Sequence, residues 1–460
     1  MLPAAFLEDL GRIVGADHVR ADTQAIATYG EDALGRGHPP DVVVIPATTG
    51  EVAAVARACS DRRVPLTVRG GGTGYTGGSV PLHGGVVLSM ERFTRILEID
   101  QDNLLAVVEP NVVTGVLQAA VEEVGLFYPP DPASLDKSVI GGNIAECAGG
   151  PRAFKYGTTR RYVLGLEAVL PGGEVIRTGS KAVKNVVGYD LTQLLVGSEG
   201  TLAIITQAVL RLVPLPPARA TLRATFASTA AAVEAVSGVI RARVVPATIE
   251  LVDAASLAAV ARYLGEELAP AGTGALLLIE VDGHEEAVAE EARRVAAACG
   301  AAGATEVVRA SSRAERDRLW RVRRELSPAL KTIAPTKLNH DVVVPRGRIA
   351  DLFALLEELR RHFGLTIACF GHAGDGNIHV NLMVNAADGE EMARARQAER
   401  LLFEGVVARE GSISGEHGVG FTKAPYLAVE LSPDVIALLK RVKHAFDPHG
   451  ILNPGKIWVE

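Results

Sequence analysis

Residues 65–81 read Pro65-Leu-Thr-Val-Arg-Gly-Gly-Gly-Thr-Gly-Tyr-Thr-Gly-Gly-Ser-Val-Pro81, a short apolar strand that continues into a loop with six glycines. Glycine has no Cβ, so the backbone N–H groups of such a loop can point inward and approach a bound group closely. Successive inward N–H groups form a concave site for an anion such as phosphate. The stretch therefore predicts a phosphate-binding loop, around which we interpret the remaining segments.

The loop contains the pattern G-x-G-x-x-G at Gly72, Gly74 and Gly77, which is typical of dinucleotide-binding domains. In a Rossmann domain that loop begins a helix, because the pyrophosphate binds at the helix N-terminus. Here the loop leads into the strand-like run Val86–Ser89, and no helical segment separates the two. We therefore reject a Rossmann site and predict a strand, a loop and a second strand, with the amides of residues 70–78 contacting a pyrophosphate.

The bulk composition narrows the class of protein. A chain of 460 residues favours two or three domains, and 48% hydrophobic with 22% charged residues is typical of a soluble globular protein. A net charge of −7 with both signs interspersed argues against a nucleic-acid partner or an anionic membrane surface. The first residues lack a basic secretory region, and no apolar run is long enough to span a membrane. We predict a cytoplasmic protein. Any association with a membrane would be peripheral and would depend on a partner protein.

Four cysteines, Cys59, Cys147, Cys299 and Cys369, stand singly and far apart. Without a C-x-x-C pair, an iron–sulfur cluster or a zinc ribbon within this chain is not expected. Buried reduced thiols are the simpler interpretation.

The order of predicted elements gives an α+β fold class. Strands and helices alternate up to the glycine-rich loop, and strands then dominate. The proline-rich segment Val213–Pro217 is interpreted as a linker, because prolines stiffen a segment and prevent helix formation. Beyond this segment, helices return repeatedly to strands, which predicts one sheet covered by helices.

One helix of this second half is predicted over Arg313–Lys331. Its apolar residues form a single stripe: Leu319, Val322, Leu326 and Leu330. Arg323 and Ser327, four residues apart, lie along the border of that stripe. An arginine at such a border usually extends to the surface, so these residues alone do not define a site.

Two further glycine-rich patches follow the first loop: residues 128–157 with intervening prolines, and residues 184–190 with 195–206. Such a density of glycine and proline indicates either tight turns or a backbone held close to a flat or charged group. Because strands flank them, the three patches, with the first loop included, are predicted to line one long groove.

The stretch Ile367-Ala-Cys-Phe-Gly-His-Ala-Gly-Asp-Gly-Asn-Ile-His-Val-Asn-Leu382 predicts a β-hairpin with a type I′ turn at Asp375-Gly376. In that register His372 lies directly opposite His379, and paired Cβ atoms are about 4.5–5.5 Å apart. Both imidazoles then reach one metal ion, and Asn381, two residues farther along the strand, shares their face.

A third ligand is expected from Ser412-Ile-Ser-Gly-Glu-His-Gly-Val-Gly420. Glycines on both sides of Glu416 and His417 let the backbone approach closely, and adjacent side chains diverge. One of the two can bind the metal ion while the other faces a substrate.

Taken together, these motifs resemble the FAD-binding domain of the vanillyl-alcohol oxidase superfamily and, within it, the D-2-hydroxy-acid dehydrogenases acting on D-lactate, D-2-hydroxyglutarate or glycolate. The resemblance covers essentially the whole chain. It rests on Arg69–Gly78, Pro129–Pro132, Gly141–Asn143 with Ala148–Gly150, Gly197–Thr206, and on intact GH-x-GDGN-x-H and GEHG motifs. It implies an FAD-binding domain of two subdomains over residues 1–215. A substrate- and metal-binding domain, with an antiparallel sheet covered by helices, would span residues 216–425, and residues 426–460 would return to the FAD domain.

The resemblance implies that the first loop holds the FAD pyrophosphate and that the later patches meet the rest of the cofactor. The implied FAD-binding residues are Arg69, Gly70, Gly71, Gly72, Thr73, Gly74, Gly77, Gly78, Pro130, Asp131, Gly141, Gly142, Asn143, Gly149, Gly150, Tyr156, Gly157, Glu199, Gly200, Ile204, Ile205 and Asn453. Some members of the superfamily bind flavin covalently through a histidine in the first loop. Residues 69–81 contain no histidine, so non-covalent FAD is predicted.

The second-half motifs imply metal ligands His372, His379 and Glu416, with His417 as the catalytic base. The N,N,O ligand set suits zinc, with manganese or iron as alternatives. The implied substrate-binding residues are Arg323, Ser327, Lys337 and Asn381. Ser327 is more often threonine in the D-2-hydroxyglutarate enzymes, which leaves side-chain specificity open.

The predicted reaction is the oxidation of a D-2-hydroxy acid to its 2-oxo acid, with hydride transfer from C2 to flavin N5, a metal to polarise the hydroxyl group and a histidine base. Electrons would then pass to an iron–sulfur subunit, an electron-transfer flavoprotein, a cytochrome or a quinone. The alternatives are an FAD oxidase that uses O₂ directly and a non-redox flavin-binding subunit. The sequence does not choose among the acids, the acceptors or the metals, nor does it distinguish a monomer from a homodimer.

Overall fold

The glycine-rich loop belongs to the first of two units into which the structure, a computed structural model that describes residues 2–459, divides the chain. The first unit comprises Met1–Gly149, Thr158–Leu215 and Glu416–Glu460, and the second comprises Gly150–Gly157 and Pro216–Gly415. The division after Leu215 coincides with the predicted linker. Two features differ from the predicted boundaries: the first unit resumes at Glu416 rather than at residue 426, and a short excursion, Gly150–Gly157, groups with the second unit.

The smaller sheet of the first unit contains the loop. Its strands are β1 (Val19–Arg20), β2 (Val42–Val44), β3 (Leu66–Arg69) and β4 (Val86–Ser89), in the order β1-β2-β4-β3. Its helices are α1 (Ala4–Val14), α2 (Thr23–Tyr29) and α3 (Thr49–Arg62). Strands β2, β4 and β3 are parallel, and the valine-rich sequences of β2 and β4 suit strands buried on both faces. The loop connects the neighbours β3 and β4 without a helix, which confirms the predicted strand, loop and strand.

A second, antiparallel sheet completes the two-subdomain arrangement. Its strands are β5 (Ile96–Asp100), β6 (Leu105–Val108), β8 (Val163–Val169), β9 (Val175–Gly179) and β10 (Ile204–Arg211), in the order β5-β6-β10-β8-β9. A separate pair is formed by β7 (Leu126–Phe127) and β11 (Val213–Pro214). The remaining helices of this unit are α4 (Thr114–Glu122), α5 (Ile140–Glu146), α7 (Leu191–Leu195), α15 (Leu427–Glu430) and α16 (Pro433–Phe446).

Helix α5 differs from the turn that its glycines predict. Gly141 and Gly142 lie in its first turn, where the loss of backbone entropy is tolerated because the flanking Ile140 and Ile144 are fully buried. The helix ends at Cys147, whose φ of 56° is left-handed and turns the chain into the following glycines.

The second unit is one seven-stranded sheet in which every pair is antiparallel. Its strands are β12 (Ala218–Phe226), β13 (Thr248–Asp253), β14 (Ala275–Gly283), β15 (Ala304–Arg309), β16 (Thr336–Val343), β17 (Thr366–His372) and β18 (Asn377–Val384), in the order β15-β12-β14-β13-β17-β18-β16. Its helices are α6 (Ala153–Tyr156), α8 (Thr229–Arg241), α9 (Ala254–Leu264), α10 (Glu285–Ala301), α11 (Arg313–Arg324), α12 (Leu326–Leu330), α13 (Ile349–Phe363) and α14 (Gly389–Val407). The predicted antiparallel sheet covered by helices is confirmed.

The single helix predicted over residues 313–331 is wrong, because the structure has two helices, α11 and α12, separated at Glu325. The cause is Pro328, which has no N–H to donate and whose ring clashes with the carbonyl group four residues earlier, at Arg324. The apolar stripe is nevertheless confirmed, since Val322, Leu326 and Leu330 pack in one core cluster with Leu319 against it.

No helix among residues 2–459 is long and apolar enough to cross a membrane.

Candidate active site

Part of the glycine-rich loop packs against another segment of the first unit, residues 137–139. A Cβ added at Gly70 would lie 2.6 Å from Cγ2 of Val139, and one at Gly71 would lie 2.6 Å from the carbonyl oxygen of Lys137. Gly74 is different, because the nearest atom to an added Cβ there is Asp32 Oδ2, at 3.8 Å. Gly70 and Gly71 are therefore packed tightly against the protein, whereas a Cβ at Gly74 would make only an ordinary van der Waals contact.

Buried polar atoms around this loop have the character of a ligand site. Asp32 Oδ2, Asn111 Oδ1 and Glu146 Oε2 are inaccessible to solvent and have no hydrogen-bond partner among the described residues. A buried polar atom without a partner costs free energy, so their arrangement fits a polar ligand with donor and acceptor groups such as FAD. Burial raises the pKa of Asp32 to about 6. Burial, and next the charge of Glu199, raise the pKa of Glu146 well above its usual range.

The C-terminal segment forms hydrogen bonds to the glycine-rich loop. Asn453 Nδ2 donates to the carbonyl oxygens of Gly78 and Glu199, at 2.7 Å each, and Lys456 Nζ donates to Val80 O at 2.7 Å. The amide of Asn453 thus joins two predicted FAD-binding segments through their backbones. Burial lowers the pKa of Lys456 to about 8.

The predicted base lies against the same loop. The ring centroids of Tyr75 and His417 are 5.6 Å apart, and Thr76 Oγ1 donates to the carbonyl oxygen of His417 at 3.1 Å. Glu199, a predicted FAD-binding residue, accepts from the N–H groups of Val419 and Gly420 at 2.8 and 2.7 Å. His417, Val419 and Gly420 therefore lie beside the glycine-rich loop and Glu199 within this unit.

The structure distributes the other predicted FAD-binding residues unevenly. Pro130 O accepts from Gln118 Nε2 at 2.9 Å, and Asn143 Nδ2 donates to Thr114 at 2.7 Å, so both are held within the first unit. Gly150, Tyr156 and Gly157 instead belong to the second unit, where the Tyr156 hydroxyl group donates to Asp282 at 2.7 Å. Ile204 is fully buried in the core beneath the smaller sheet.

In the second unit, strand register brings the predicted residues to one face of the sheet. Glu250 pairs with His372, His372 with Asn377, Phe370 with His379, and Ala368 with Asn381. On the next strand His379 pairs with Asp341, and Met383 pairs with Lys337. Directly paired residues of antiparallel strands share a face, and so do residues two apart along a strand.

The register of the predicted hairpin is wrong by two residues. His372 pairs with Asn377 rather than with His379, so a four-residue loop replaces the two-residue turn. A shift of two residues preserves the face, whereas a shift of one would reverse it. The imidazoles of His372 and His379 are therefore diagonal neighbours with ring centroids 5.3 Å apart, and the prediction that they lie together is correct.

Glu250, which the sequence interpretation missed, lies at the centre of this face. Its side chain is fully buried, Oε1 is 2.5 Å from His372 Nδ1, and Oε2 accepts a hydrogen bond from Arg323 Nε. Burial raises the pKa of Glu250, but the charges and hydrogen bonds of His372 and Arg323 outweigh burial and lower it to about 2. A charged residue inside the apolar strand Ile249-Glu250-Leu251 was the signal in the sequence.

Arg323 is not the surface side chain that its border position suggests. It is only 7% exposed, and its guanidinium carbon lies 4.8 Å from the centroid of the Phe370 ring. Its neighbour across the helix break, Ser327, accepts a hydrogen bond from Lys337 Nζ at 2.5 Å. Burial, and next the charge of Lys331, lower the pKa of Lys337 to about 8.

Asp341 is a second residue that was missed. It is fully buried, its Oδ1 lies 3.8 Å from His379 Nδ1, and it accepts from Asn377 Nδ2 at 2.6 Å and from Gly415 N at 3.0 Å. Asn381, predicted to bind substrate, donates from Nδ2 to the backbone at Ala368 and His379, and its Oδ1 accepts from Asn339 at 2.8 Å. Its predicted contact with substrate stays a prediction.

Comparison with known proteins agrees with this geometry. The family model for the FAD binding domain matches residues 40–179, and the model for FAD linked oxidases, C-terminal domain, matches residues 215–457. The chain belongs to the FAD-linked oxidase family and is an FAD-linked oxidoreductase. The predicted membership is thus confirmed.

Individual relatives extend over nearly the whole chain. It is 42% identical to the glycolate oxidase subunit GlcD of Bacillus subtilis over 98% of this chain and 96% of that protein. It is 34% identical to the D-2-hydroxyglutarate dehydrogenase of Stutzerimonas stutzeri over 100% of both. The crystal structure of p-cresol methylhydroxylase shares the fold, with a TM-score of 0.83 over 99% of this chain and 96% of that one at 18% identity.

Proposed function

We propose that this enzyme oxidises a D-2-hydroxy acid of the glycolate, D-lactate or D-2-hydroxyglutarate class to the corresponding 2-oxo acid. The observation that carries the proposal is the single face of the second sheet on which Lys337, His372 and His379 lie, with Arg323 bonded to it through Glu250. The names of the two relatives support the same class of substrate.

Recognition of the substrate is assigned to two cationic side chains. Arg323 presents a planar guanidinium group that matches a carboxylate in two-point geometry, and Lys337 adds a compact positive charge. Both are largely buried, so their attraction for a carboxylate is weakly screened by water. Ser327, which holds Lys337 Nζ, orients the lysine and is the position most suited to tune side-chain preference.

We assign His417 as the base that accepts the proton of the 2-hydroxyl group. Its backbone is fixed by Thr76, and its ring lies beside Tyr75 of the glycine-rich loop. When bound, FAD supplies the acceptor for hydride from C2, and a divalent metal supplies Lewis-acid polarisation of the hydroxyl group. The imidazole of His417 would act as the general base that accepts the proton of the 2-hydroxyl group.

The metal ligands are proposed to be His372, His379 and Glu416, with zinc favoured and manganese or iron as alternatives. His372 and His379 are neighbours on one face of the second sheet. Glu416 directly follows Gly415, whose N–H group donates to Asp341 on the same face. Asp341, next to His379, is a further oxygen donor available to a metal ion.

The test is anaerobic mixing of the purified enzyme with glycolate, D-lactate and D-2-hydroxyglutarate, with L-lactate as the stereochemical control. We expect the flavin absorbance near its visible maximum to bleach with at least one of the three acids and not with L-lactate. The His417→Gln variant should keep its FAD and fail to bleach. Absence of bleaching with all three acids would reject the proposal.

The proposed cofactors have their own tests. FAD bound without a covalent bond is released on acid precipitation, so flavin retained in the pellet would contradict that part of the proposal. Elemental analysis should find about one divalent metal per chain, and removing it with a chelator should stop flavin reduction. Full activity in protein shown to be free of metal would reject the metal site.

A further inference from the structure

The carboxylate of Glu250 lies at hydrogen-bond distance from both a proposed metal ligand, His372, and the proposed carboxylate-binding arginine, Arg323. Oε1 contacts His372 Nδ1 at 2.5 Å, and Oε2 accepts from Arg323 Nε. The side chain is fully buried on the central strand β13, where the register with β17 sets Glu250 directly opposite His372. Both contacts are therefore made by one side chain, held on the central strand of the sheet.

The contact with His372 determines which ring nitrogen is available to a metal ion. A carboxylate at Nδ1 holds the proton on that nitrogen and leaves Nε2 with its lone pair. Carboxylate partners of this kind orient metal-binding histidines and raise their basicity, and their loss typically costs about 10–100-fold in metal affinity. Glu250 therefore fixes both the tautomer and the direction of His372.

The contact with Arg323 determines how the guanidinium group is presented. Because Glu250 accepts the Nε–H group, the two terminal nitrogens are left to bind a planar carboxylate. The ring of Phe370, 4.8 Å away, packs against the guanidinium carbon and limits its rotation. Arg323 is thus held in place from two sides, by Glu250 and by Phe370, both on the same sheet face.

We propose that Glu250 is a positioning residue that links metal binding to substrate-carboxylate binding. This inference rests on the proposed function for the roles of His372 and Arg323. A single substitution at Glu250 is expected to weaken two affinities that otherwise depend on different side chains. A residue that only stabilised the fold would not change both affinities while FAD remained bound.

The test uses Glu250→Gln in the full-length enzyme with FAD bound. The amide keeps the shape of the side chain, but its NH₂ group donates to His372 Nδ1 and so moves the histidine proton to Nε2. We expect Zn²⁺ affinity, measured by competition with a chromogenic chelator, to fall about 10–100-fold. Binding of pyruvate, followed by the perturbation of the flavin spectrum, should weaken by at least about tenfold, because Arg323 then has a neutral amide oxygen in place of the charged partner that orients it.

The matched control is Glu280→Gln. Glu280 is a buried carboxylate on the adjacent strand β14 and holds helix α11 through Trp320 Nε1 at 3.1 Å, but it contacts neither His372 nor Arg323. We expect both affinities to stay within about twofold of the unchanged enzyme. An equal loss in this control would show that the position of α11, and not Glu250, is responsible, and would overturn the inference.

Two outcomes separate this inference from the proposed function. If the unchanged enzyme is reduced by a hydroxy acid but Glu250→Gln binds Zn²⁺ and pyruvate normally, the inference alone is rejected. If no hydroxy acid reduces the flavin but both affinities fall in the variant, the proposed function alone is rejected.

Should Glu250→Gln fail to fold, Glu250→Asp provides the test, because it keeps the charge but its side chain is one methylene too short to reach both partners. Normal affinity for both ligands in Glu250→Asp would reject the inference.

Discussion

Residue-level chemistry in the second unit depends on charges that are buried and paired. Glu250 is stabilised as an anion by His372 and Arg323, whereas Lys337 donates to the hydroxyl group of Ser327. Burial, and next the charge of Lys331, make the charged form of Lys337 unfavourable and lower its pKa to about 8. A bound substrate carboxylate would favour the charged form.

The pH dependence of substrate affinity follows from this. Below pH 8 Lys337 is protonated and attracts a carboxylate, and above pH 8 it loses its charge. We expect KM for the preferred hydroxy acid to rise about tenfold per pH unit above pH 8. The Lys337→Arg variant, which stays charged, should show a flat KM over the same range. Steady-state kinetics from pH 6 to 10 check this, and the same rise in Lys337→Arg would contradict it.

The ionisation of Lys337 also makes the free energy of unfolding depend on pH. The pKa of about 8 in the folded protein lies below the ordinary value of 10.5, so the folded state releases this proton first. The free energy of unfolding therefore gains a contribution that increases with pH between about 8 and 10.5. At pH 7 the protonated lysine is a cost, which is consistent with a residue kept for binding rather than for stability.

At the scale of elements, the glycine-rich loop contains glycines of two kinds: those that close packing requires and those that it does not. Gly71 is required because a Cβ there would lie 2.6 Å from the carbonyl oxygen of Lys137, whereas a Cβ at Gly74 would make only an ordinary van der Waals contact, at 3.8 Å, with Asp32 Oδ2. The sequence shows six glycines in residues 65–81 and cannot tell these uses apart, since the neighbours at 137–139 come from a distant segment.

Alanine substitutions distinguish the two glycines. Gly71→Ala should lower the free energy of unfolding of the FAD-free protein by about 1–3 kcal/mol, because the clash is with backbone and not with a flexible side chain. Gly74→Ala should leave that stability within about 0.5 kcal/mol and weaken only FAD binding. Chemical denaturation of the FAD-free variants and FAD titration measure the two effects. Equal destabilisation by both substitutions would show that the loop is merely structural.

The elements also show how far the sequence could be interpreted. The helix around Val322 and Leu326 was identified by its apolar stripe, but the break at Glu325 was missed, although Pro328 marks it. The hairpin was identified from Asp375-Gly376, but the loop is longer by two residues. Gly376 is the last residue of the four-residue loop: its N–H group donates to the carbonyl oxygen of His372 at 3.1 Å, and its carbonyl oxygen accepts from Val344 N at 3.1 Å. Local patterns locate elements, while exact register depends on contacts with strands that are distant in sequence.

The same limit applies to the site. Histidines and glycines were found because their motifs are contiguous, as in residues 367–382 and 412–420. Glu250 and Asp341 were missed because each is a single acidic residue in a strand whose neighbours are known only from the sheet order β13-β17-β18-β16. Such residues are recognisable in retrospect as charges inside apolar strands, a pattern that does not by itself identify their partners.

At the scale of the whole molecule, the first unit is built from three separate stretches of chain, and the last of them is essential to the first. Leu66 of β3 donates to Ile451 O at 2.8 Å and accepts from Asn453 N at 2.9 Å, which places the C-terminal segment beside the strand that leads into the glycine-rich loop. Ile451 and Leu452 belong to the same core cluster as Leu66.

Truncation tests this dependence. A fragment of residues 1–215 should bind no FAD and should unfold without a cooperative transition, because it lacks Ile451, Leu452 and the amide of Asn453. Joining residues 416–460 to that fragment through a flexible linker should restore FAD binding. Circular dichroism and flavin fluorescence measure the outcome, and FAD binding by the shorter fragment would contradict the prediction.

This arrangement has a consequence for the order of events on the ribosome. The strand of Leu66 is synthesised early, but residues 451–456, which contact that strand and the glycine-rich loop, are synthesised after the whole second unit. The second unit, most of which lies in the single stretch Pro216–Gly415, can therefore finish folding before the first. Capture of the cofactor is expected only after residues 451–456 have been synthesised, and a protein made in flavin-poor cells should accumulate in a nearly complete form that accepts FAD afterwards.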